Sequence, residues 1–451
     1  MNNKSIYELR LLNTLDPMIP EWWAQEGLVR LEKALVTSQL CNRDYQNEFQ
    51  SAGEVVNVHR VGDFNTDKKQ PGEEIDIQDA SSEADQVKLN LHLYNSFALE
   101  DVERQKGFPN LVERFLAPAV YSIARTLDQY VGMESYRFLN TVGGKIHKAV
   151  EYDDLVDVNT RMLANKAPDE GRYVVLGPSA KGDLLKTGKL TEYRMTGDGS
   201  PILNGFIGEA SGLSLLYSQN VPSVPKSADT ETEAVDGAHG PGATEITVST
   251  LGQQVKKGQW LLIEGDNTPQ QCTEDTASPS TTLKITPGLR YDVEDAAAIT
   301  VFSAGAVDYG SGYSAGYDGA IKYDTFTQAP HVGQGVTFGE STHVYGVWKV
   351  DTSNSEIYLS QPLAEAISDS DEINPLPWGT YNIAMRSPAI TLVNRPMDIP
   401  MGANGAYAQY NDLSLRVLIS YDHKRMRNIV TVDSLFGLKT LDTAQGAVLL
   451  S

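Results

Sequence analysis

Between Lys226 and Pro377 the chain changes character, and this break limits its folding more than any other feature. That segment holds 22 acidic and 7 basic side chains, a net of −15 out of −22 for all 451 residues, whereas Trp378–Ser451 holds 5 acids and 7 bases. Charge segregated in this way marks an independently folded insert or an exposed appendage. Pro222 and Pro225 on one side and Pro375-Leu376-Pro377 on the other read as hinge segments, with a linker running on to Gly242. Inside the break the pattern is of short strands separated by turns: Ile246-Thr247-Val248, Trp260-Leu261-Leu262-Ile263 and Leu283-Lys284-Ile285, then a Gly/Tyr-rich stretch from Tyr309 to Tyr317. Gly258 and Gly333, and Pro287 and Pro362, stand 75 residues apart, and Thr282–Ile285 resembles Glu356–Leu359. A duplicated β unit is one reading of this spacing, and two unrelated hairpins are the other. Trp260 and Trp348 are the expected packing anchors.

Outside the break the pattern is mixed. After Pro17 and Pro20, the spacing of Leu28, Leu31 and Leu35 predicts a helix from Glu21 to about Gln50. Its apolar stripe is narrow, which suits either a surface helix on its own domain or an arm packed on a neighbouring subunit. Val55–Val58 and Val87–Leu93 read as strands joined by a polar excursion that contains Lys68, Lys69, Glu73 and Glu74. Such a hairpin cannot bury its tip in its own core. Asn110 is a good N-cap for a long helix through Leu111, Phe115, Ile123 and Leu127 to about Thr141, and Pro118 predicts a kink or an N-terminal break in it. Tyr173–Leu176 reads as a strand, Pro178–Leu185 as a helix, and Ala389–Val393, Leu413–Ser420 and Ile429–Val432 as strands.

Motifs for chemistry are missing. The seven histidines form no HExxH or Cys/His pattern, and no nucleophile elbow or P-loop is present. No catalytic residue, cofactor or metal ligand is therefore assigned. The adjacent pairs Glu73-Glu74, Asp153-Asp154 and Glu294-Asp295 point apart on any regular element, and Asp369, Asp371 and Glu372 read as a solvated turn rather than a calcium site. Two cysteines, Cys41 and Cys272, exclude a disulfide scaffold. No apolar run of membrane-spanning length or leader-like N-terminus is present, so no membrane partner is expected. The acidic balance argues against a generic nucleic-acid binder but allows an enclosure that does not stick to its contents. One basic cluster stands out, His423, Lys424, Arg425 and Arg427, in the turn between two predicted strands. It is either a solvated turn or a contact for phosphates or for an acidic neighbour.

The order of these parts resembles the major capsid proteins of tailed bacteriophages, in the short-tailed-phage form that carries an inserted domain. The likeness rests on Asn42-Arg43-Asp44-Tyr45 followed by Phe49, Gly53 and Val55–Val58; on Gly205–Gly212 leading to Tyr217–Pro222; and on Arg416–Gly437 with Val432-Asp433 and Leu435-Phe436-Gly437. It covers about 1–225 and 378–451.

The resemblance implies an α+β capsid fold of the Hong Kong phage type. Its N-terminal arm would be 1–53, its E-loop 54–95, and its peripheral domain with a spine helix 96–144, returning at 406–451. The axial domain would be 145–225, returning at 378–405, and the inserted antiparallel β domain 226–377. Lys68, Lys69, Glu73, Glu74, Leu28, Leu31 and Leu35 become candidate intersubunit contacts. The implied partners are further copies in pentamers and hexamers, a scaffolding protein, a portal, double-stranded DNA held by enclosure, and a decoration protein. Assembly would take place in the host cytoplasm, through a procapsid that matures. A surface-layer adhesin would need an export signal, and an acidic hydrolase would be a monomer with a pocket; these are the competing classes.

Overall fold

A computed structural model describes residues 20–43, 55–61, 66, 68–69, 82–100, 112–187, 208–226, 230–249, 254–276, 280–302, 305–324, 326, 329–410 and 412–451. Asp44, Tyr45, Phe49, Gly53, Glu73, Glu74, Asn110 and Gly205-Phe206-Ile207, all used in the sequence reading, lie outside the described residues. The chain divides into two compact units. One contains residues 1–35, 41–126 and 390–441; the other contains 36–40, 127–389 and 442–451.

The first unit is built on an antiparallel sheet. Arg427–Thr440 is its central strand, pairing with Leu413–Asp422, Ile390–Arg395 and Leu91–Glu100, and Asn404–Tyr410 extends the sheet beyond Leu413–Asp422. The helix Pro20–Ala34 packs on one face of this sheet. Pro at the first position, Glu21 in the first turn and Lys33 in the last all suit a helix. Gly27 lets it approach closely, since a Cβ there would stand 2.8 Å from Leu415 Cδ2. Trp23 and Phe97, and Phe97 and Phe115, stack at 6.3 and 5.7 Å.

The helix is shorter than the leucine spacing predicted: it stops at Ala34 and a 3-10 turn, Ser38–Leu40, follows. The strand predicted over Val87–Leu93 is two strands. Ser82–Lys88 pairs with Val55–Val61, and Leu91–Glu100 joins the main sheet. The long helix predicted after Asn110 is Ala117–Met133, preceded by a π turn, Val112–Leu116, and followed by a 3-10 turn, Glu134–Phe138. Pro118 thus sits in its first turn, where a missing N–H costs nothing.

In the second unit a six-stranded sheet runs in the order Val142–Gly144, Gly446–Leu450, Tyr381–Arg386, Arg172–Leu176, Leu213–Tyr217, Glu209–Ala210. The helices Tyr152–Ala164 and Pro178–Lys186 bury Leu155, Val158, Met162, Ala180 and Leu184 in one core cluster with sheet residues Val174, Ala384 and Leu449. The division of the chain falls at 389/390 and 441/442, where the sequence reading placed one boundary at 405/406. The C-terminal strand Gly446–Leu450 is buried at every residue in the second unit's sheet, while Ile390–Arg395 belongs to the first unit.

The acidic segment forms two closed six-stranded sheets with one topology. The first runs Thr230–Ala234, Ala298–Phe302, Trp260–Ile263, Gln270–Cys272, Thr282–Thr286, Glu245–Thr247. The second runs Gly305–Ala306, Glu372–Pro375, Gly335–Phe338, Tyr345–Asp351, Glu356–Leu359, Ile321–Lys322. The bridges Val235–Val248 and Val307–Tyr323 join the outer strands and close each barrel. The correspondence reaches single hydrogen bonds. Gly258 N donates to Cys272 O as Gly333 N donates to Val347 O, and His239 and Val293 exchange bonds as Tyr313 and Ile367 do. Gly258 and Gly333, with φ of +91° and +88°, make the same left-handed turn. Leu261, Ile263, Leu283 and Ile299 fill one barrel, and Val336, Phe338, Ile357 and Ile373 fill the other. Thr230–Ala234, read from sequence as linker, is the first strand of the first barrel.

Trp260 is 5% exposed, but it lies between the barrels and not inside one: its Nε1 donates to Thr337 Oγ1 at 3.2 Å. Beside it Lys256 pairs with Glu372 and Lys257 with Glu340. Trp348 is no core anchor. A bulge between Val347 and Lys349 turns it outward, 38% exposed.

Candidate assembly surfaces

The residues singled out from sequence fall in three different settings. Leu28, Leu31 and Leu35 are buried in their own chain. The intersubunit role expected of them is corrected: these three leucines are buried against their own chain and are not available to a neighbour. Trp22 and Val29, both exposed, lie off the leucine stripe. Two exposed apolar residues seven apart on a helix are one face two turns long. Sequence reading missed them because the leucines gave the stronger periodicity.

Lys68 and Lys69 are exposed, in the connection between the strands Val55–Val61 and Ser82–Lys88. The pairing runs without a break from Val55–Lys88 to Val61–Ser82, and residues 62–81 are the chain between the two strands. The Val55–Lys88 end is anchored. Val87 and Leu89 are buried with Val393, and a Cβ on Gly437 would stand 2.7 Å from Lys88 O.

The basic cluster forms a hairpin turn. His423, Lys424 and Arg425 are exposed, and the strands on either side end at Asp422 and begin at Arg427. Arg427 and Asp422 face each other at 3.6 Å, and the Asp422 carboxylate accepts from Lys424 N at 3.1 Å. Arg427 is therefore partly neutralised, while the cluster's other three residues face solvent.

On the sheet face that carries His92, a polar row crosses four strands: Tyr94 opposite Asp433, Asp433 opposite Arg416, and Arg416 opposite Tyr407. Asp433 is buried. Arg416 Nε and Nη2 donate to its two oxygens at 3.0 and 2.6 Å, and His92 Nε2 stands 3.1 Å from Oδ2. A forked arginine holds this carboxylate in one orientation. His92 is exposed and has one edge on Asp433. Tyr94 and Tyr407 at the ends of the row are exposed.

In the second unit, the barrels are fixed to the segment that follows the helix Ala117–Met133. Arg290 of the first barrel reaches the carbonyls of Leu139, Asn140 and Val142 at 3.0–3.4 Å, and burial lowers its pKa to about 10. Lys145 Nζ donates to Gly265 O at 2.5 Å. Tyr136 donates to Gly333 O, and Arg137 donates to Gln361 and to His343 Nδ1. Burial, and next the Arg137 charge, lower the His343 pKa to about 4.

Three of the carboxylates weighed as paired or metal-binding groups serve the backbone instead. Asp154 caps its helix by accepting from Glu151 N, Asp295 accepts from Gly237 N, and Asp369 accepts from Tyr309 N. Among the described residues no group of three His, Cys, Asp or Glu is placed to hold a metal ion, and no helix is long and apolar enough to cross a membrane.

No protein-family model and no curated protein matches the chain. Solved structures do resemble it. A chain of Mycobacterium phage Che8 aligns with 92% of this chain and 90% of its own, at 12% identity and a TM-score of 0.44. The capsid structure of cyanophage P-SCSP1u aligns over 98% and 91%, at 10% identity and 0.45. The mature capsid of bacteriophage PhiM1 aligns over 92% and 86%, at 9% identity and 0.43.

Proposed function

We propose that this chain is a major capsid protein, a structural and non-enzymatic subunit that polymerises into the icosahedral shell of a tailed bacteriophage around its DNA. The observation that carries the reading is the hairpin Val55–Val61/Ser82–Lys88, anchored at one end and joined at the other by residues 62–81. A two-stranded ribbon is marginal alone, and its polar connecting segment needs a surface from elsewhere. A neighbouring copy supplies that surface in a shell. Exposed Trp22, Val29, Tyr94 and Tyr407 in the same unit are further contact material.

In this reading the first unit is the peripheral domain with its arm and E-loop, the sheet of the second is the axial domain, and the twin barrels are the insert. Contacts must be many and individually weak. A pairwise free energy of about −4 kcal/mol is only millimolar, but closure multiplies it. Pentamers and hexamers, a procapsid with scaffolding protein and portal, later maturation and a decoration protein go with this reading, as does assembly in the host cytoplasm. The net charge of −22 favours DNA held by enclosure.

Deletion of residues 63–81 tests the reading. The variant should keep the cooperative melting of the parent and fail to form shells. If it unfolds as a subunit, or assembles normally, the hairpin is not an intersubunit element.

A further inference from the structure

The twin barrels provide an internal control. Wherever the second barrel has a side chain that the first does without, closing the barrel does not require it. The hydrogen-bond equivalences give the match. Asp369 accepts from Tyr309 N as Asp295 accepts from Gly237 N. Tyr313 corresponds to His239 through their matching bridges. Leu363 N donates to Tyr317 O as Leu289 N donates to Ala243 O. With Ile357 paired to Ile321 as Leu283 is to Ile246, Tyr358 corresponds to Lys284. Trp348 has no counterpart: Val347 pairs with Leu359 and Lys349 with Tyr358, whereas Cys272 pairs with Ile285 and Thr273 N donates to Lys284 O, so the tryptophan is the extra residue of the bulge. Gly, His, Ala and Lys in one barrel thus stand where the other has four tyrosines, and the tryptophan is inserted where the first barrel has no residue.

These five rings form two groups. Tyr309 and Tyr313 stack at 4.7 Å and 22°, and Tyr317 lies 4.7 Å beyond Tyr313. Tyr313 is 7% exposed between its neighbours, which are 44% and 36% exposed. Trp348 contacts Tyr358 edge-on at 6.4 Å and is backed by Tyr130 at 5.9 Å. The groups adjoin: Tyr313 Oη accepts from Lys322 N at 3.0 Å, and Lys322 lies opposite Glu356, the residue that Tyr358 bonds. Polar groups border the rings. Glu356 accepts from Tyr358 Oη at 3.2 Å, and Lys349 Nζ lies 4.8 Å over the Tyr358 ring.

We propose that this aromatic strip on the second barrel binds a neutral polysaccharide, with Trp348, Tyr358 and Tyr317 packing on the C–H faces of its sugar rings and Glu356 and Lys349 hydrogen-bonding its hydroxyls. Two other polymers that use aromatic strips fit less well. Single-stranded nucleic acid needs a basic track, and the surrounding segment carries −15. A peptide added as a further strand needs an open edge, and the bridge Val307–Tyr323 closes this barrel. Rings with an apolar body and a polar rim suit a ligand that is itself apolar on its faces and polar at its edge.

The test is affinity electrophoresis of the whole protein in native gels containing amylopectin, hydroxyethylcellulose, mannan or dextran. The variants Tyr358→Lys and Tyr317→Ala install the residues that the first barrel already tolerates, Trp348→Thr removes the ring of the bulge residue, and their melting curves check folding. Retardation in at least one gel is expected, weakened at least tenfold by the triple variant and unchanged by Thr273→Ala in the first barrel. No retardation in any of the four gels, equal retardation of the triple variant, or binding only to an added polyanion such as heparin would overturn the proposal. Shell formation is scored separately by microscopy, so this result stands apart from the capsid reading.

Discussion

Ser38 is bonded twice to Asp128, ninety positions along the chain: its Oγ donates to Oδ1 at 2.7 Å and its N–H donates to the same oxygen at 3.0 Å. Val36 N donates to Oδ2 at 3.0 Å. The carboxylate is buried, so donors from Val36, Thr37 and Ser38 stand in for water, and they fix the 36–40 segment in the second unit although the residues on both sides belong to the first.

Asp128→Asn should therefore destabilise the protein by about 1–3 kcal/mol, because an amide nitrogen cannot accept from Val36 N and leaves it unpaired. Burial holds the Asp128 pKa above the ordinary carboxylate value, against the pull of the Ser38 and Val36 bonds. The folded state then keeps this proton longer than the unfolded state. Its contribution to stability falls as pH rises from the ordinary carboxylate range through the raised value. Thermal melts of parent and variant across that range should show the slope in the parent only.

The two tryptophans of the acidic segment should behave differently. Trp260→Ala removes a buried ring and its bond to Thr337 between the barrels, and should cost about 3–5 kcal/mol. Trp348→Ala loses a tilted contact with Tyr130 and an edge contact with Tyr358 and should cost about 1 kcal/mol. Denaturant titration of both variants gives the comparison, and equal costs would mean the bulge does not expose Trp348.

His343 gives a pH dependence of opposite sign to that of Asp128. Its pKa falls from 6.5 to about 4 on folding, so the unfolded state binds the extra proton between those values. The contribution is complete above pH 6.5 and is lost as pH falls towards 4. Replacement by Gln, with the Arg137 contact kept, should flatten the melting profile over that interval.

Charge reversal in the hairpin turn separates contact from fold. Lys424→Glu with Arg425→Glu should change subunit stability by no more than about 0.5 kcal/mol, because both side chains face solvent. If the turn meets DNA or an acidic neighbour, the same variant should form fewer or emptier particles. Unchanged yield and DNA content would leave it a solvated turn.

Much of this fold was legible in short signals. Trp260–Ile263 and Thr282–Thr286 read as strands from their residues, and the spacing of 75 between Gly258 and Gly333 is the barrel duplication. Pro118 marked the start of its helix. What was hidden depended on partners distant in sequence. Leu28 and Leu31 show the same periodicity whether the surface they meet belongs to this chain or another. Thr230–Ala234 is polar because it is a barrel edge closed by a bridge, so it read as linker. Tyr152–Ala164 begins at a Glu151/Asp154 capping box, and an acidic residue in place of Ser or Thr weakened that signal. Trp348 faces outward because of a bulge that no residue pattern announced.

Electron microscopy of the purified full-length protein, expressed alone and with a scaffolding protein, tests the central claim most directly. The account predicts closed shells, open sheets, or rings of five and six subunits, with subunit contacts along the hairpin Val55–Val61/Ser82–Lys88. A single monodisperse monomer at high concentration under both conditions would contradict it.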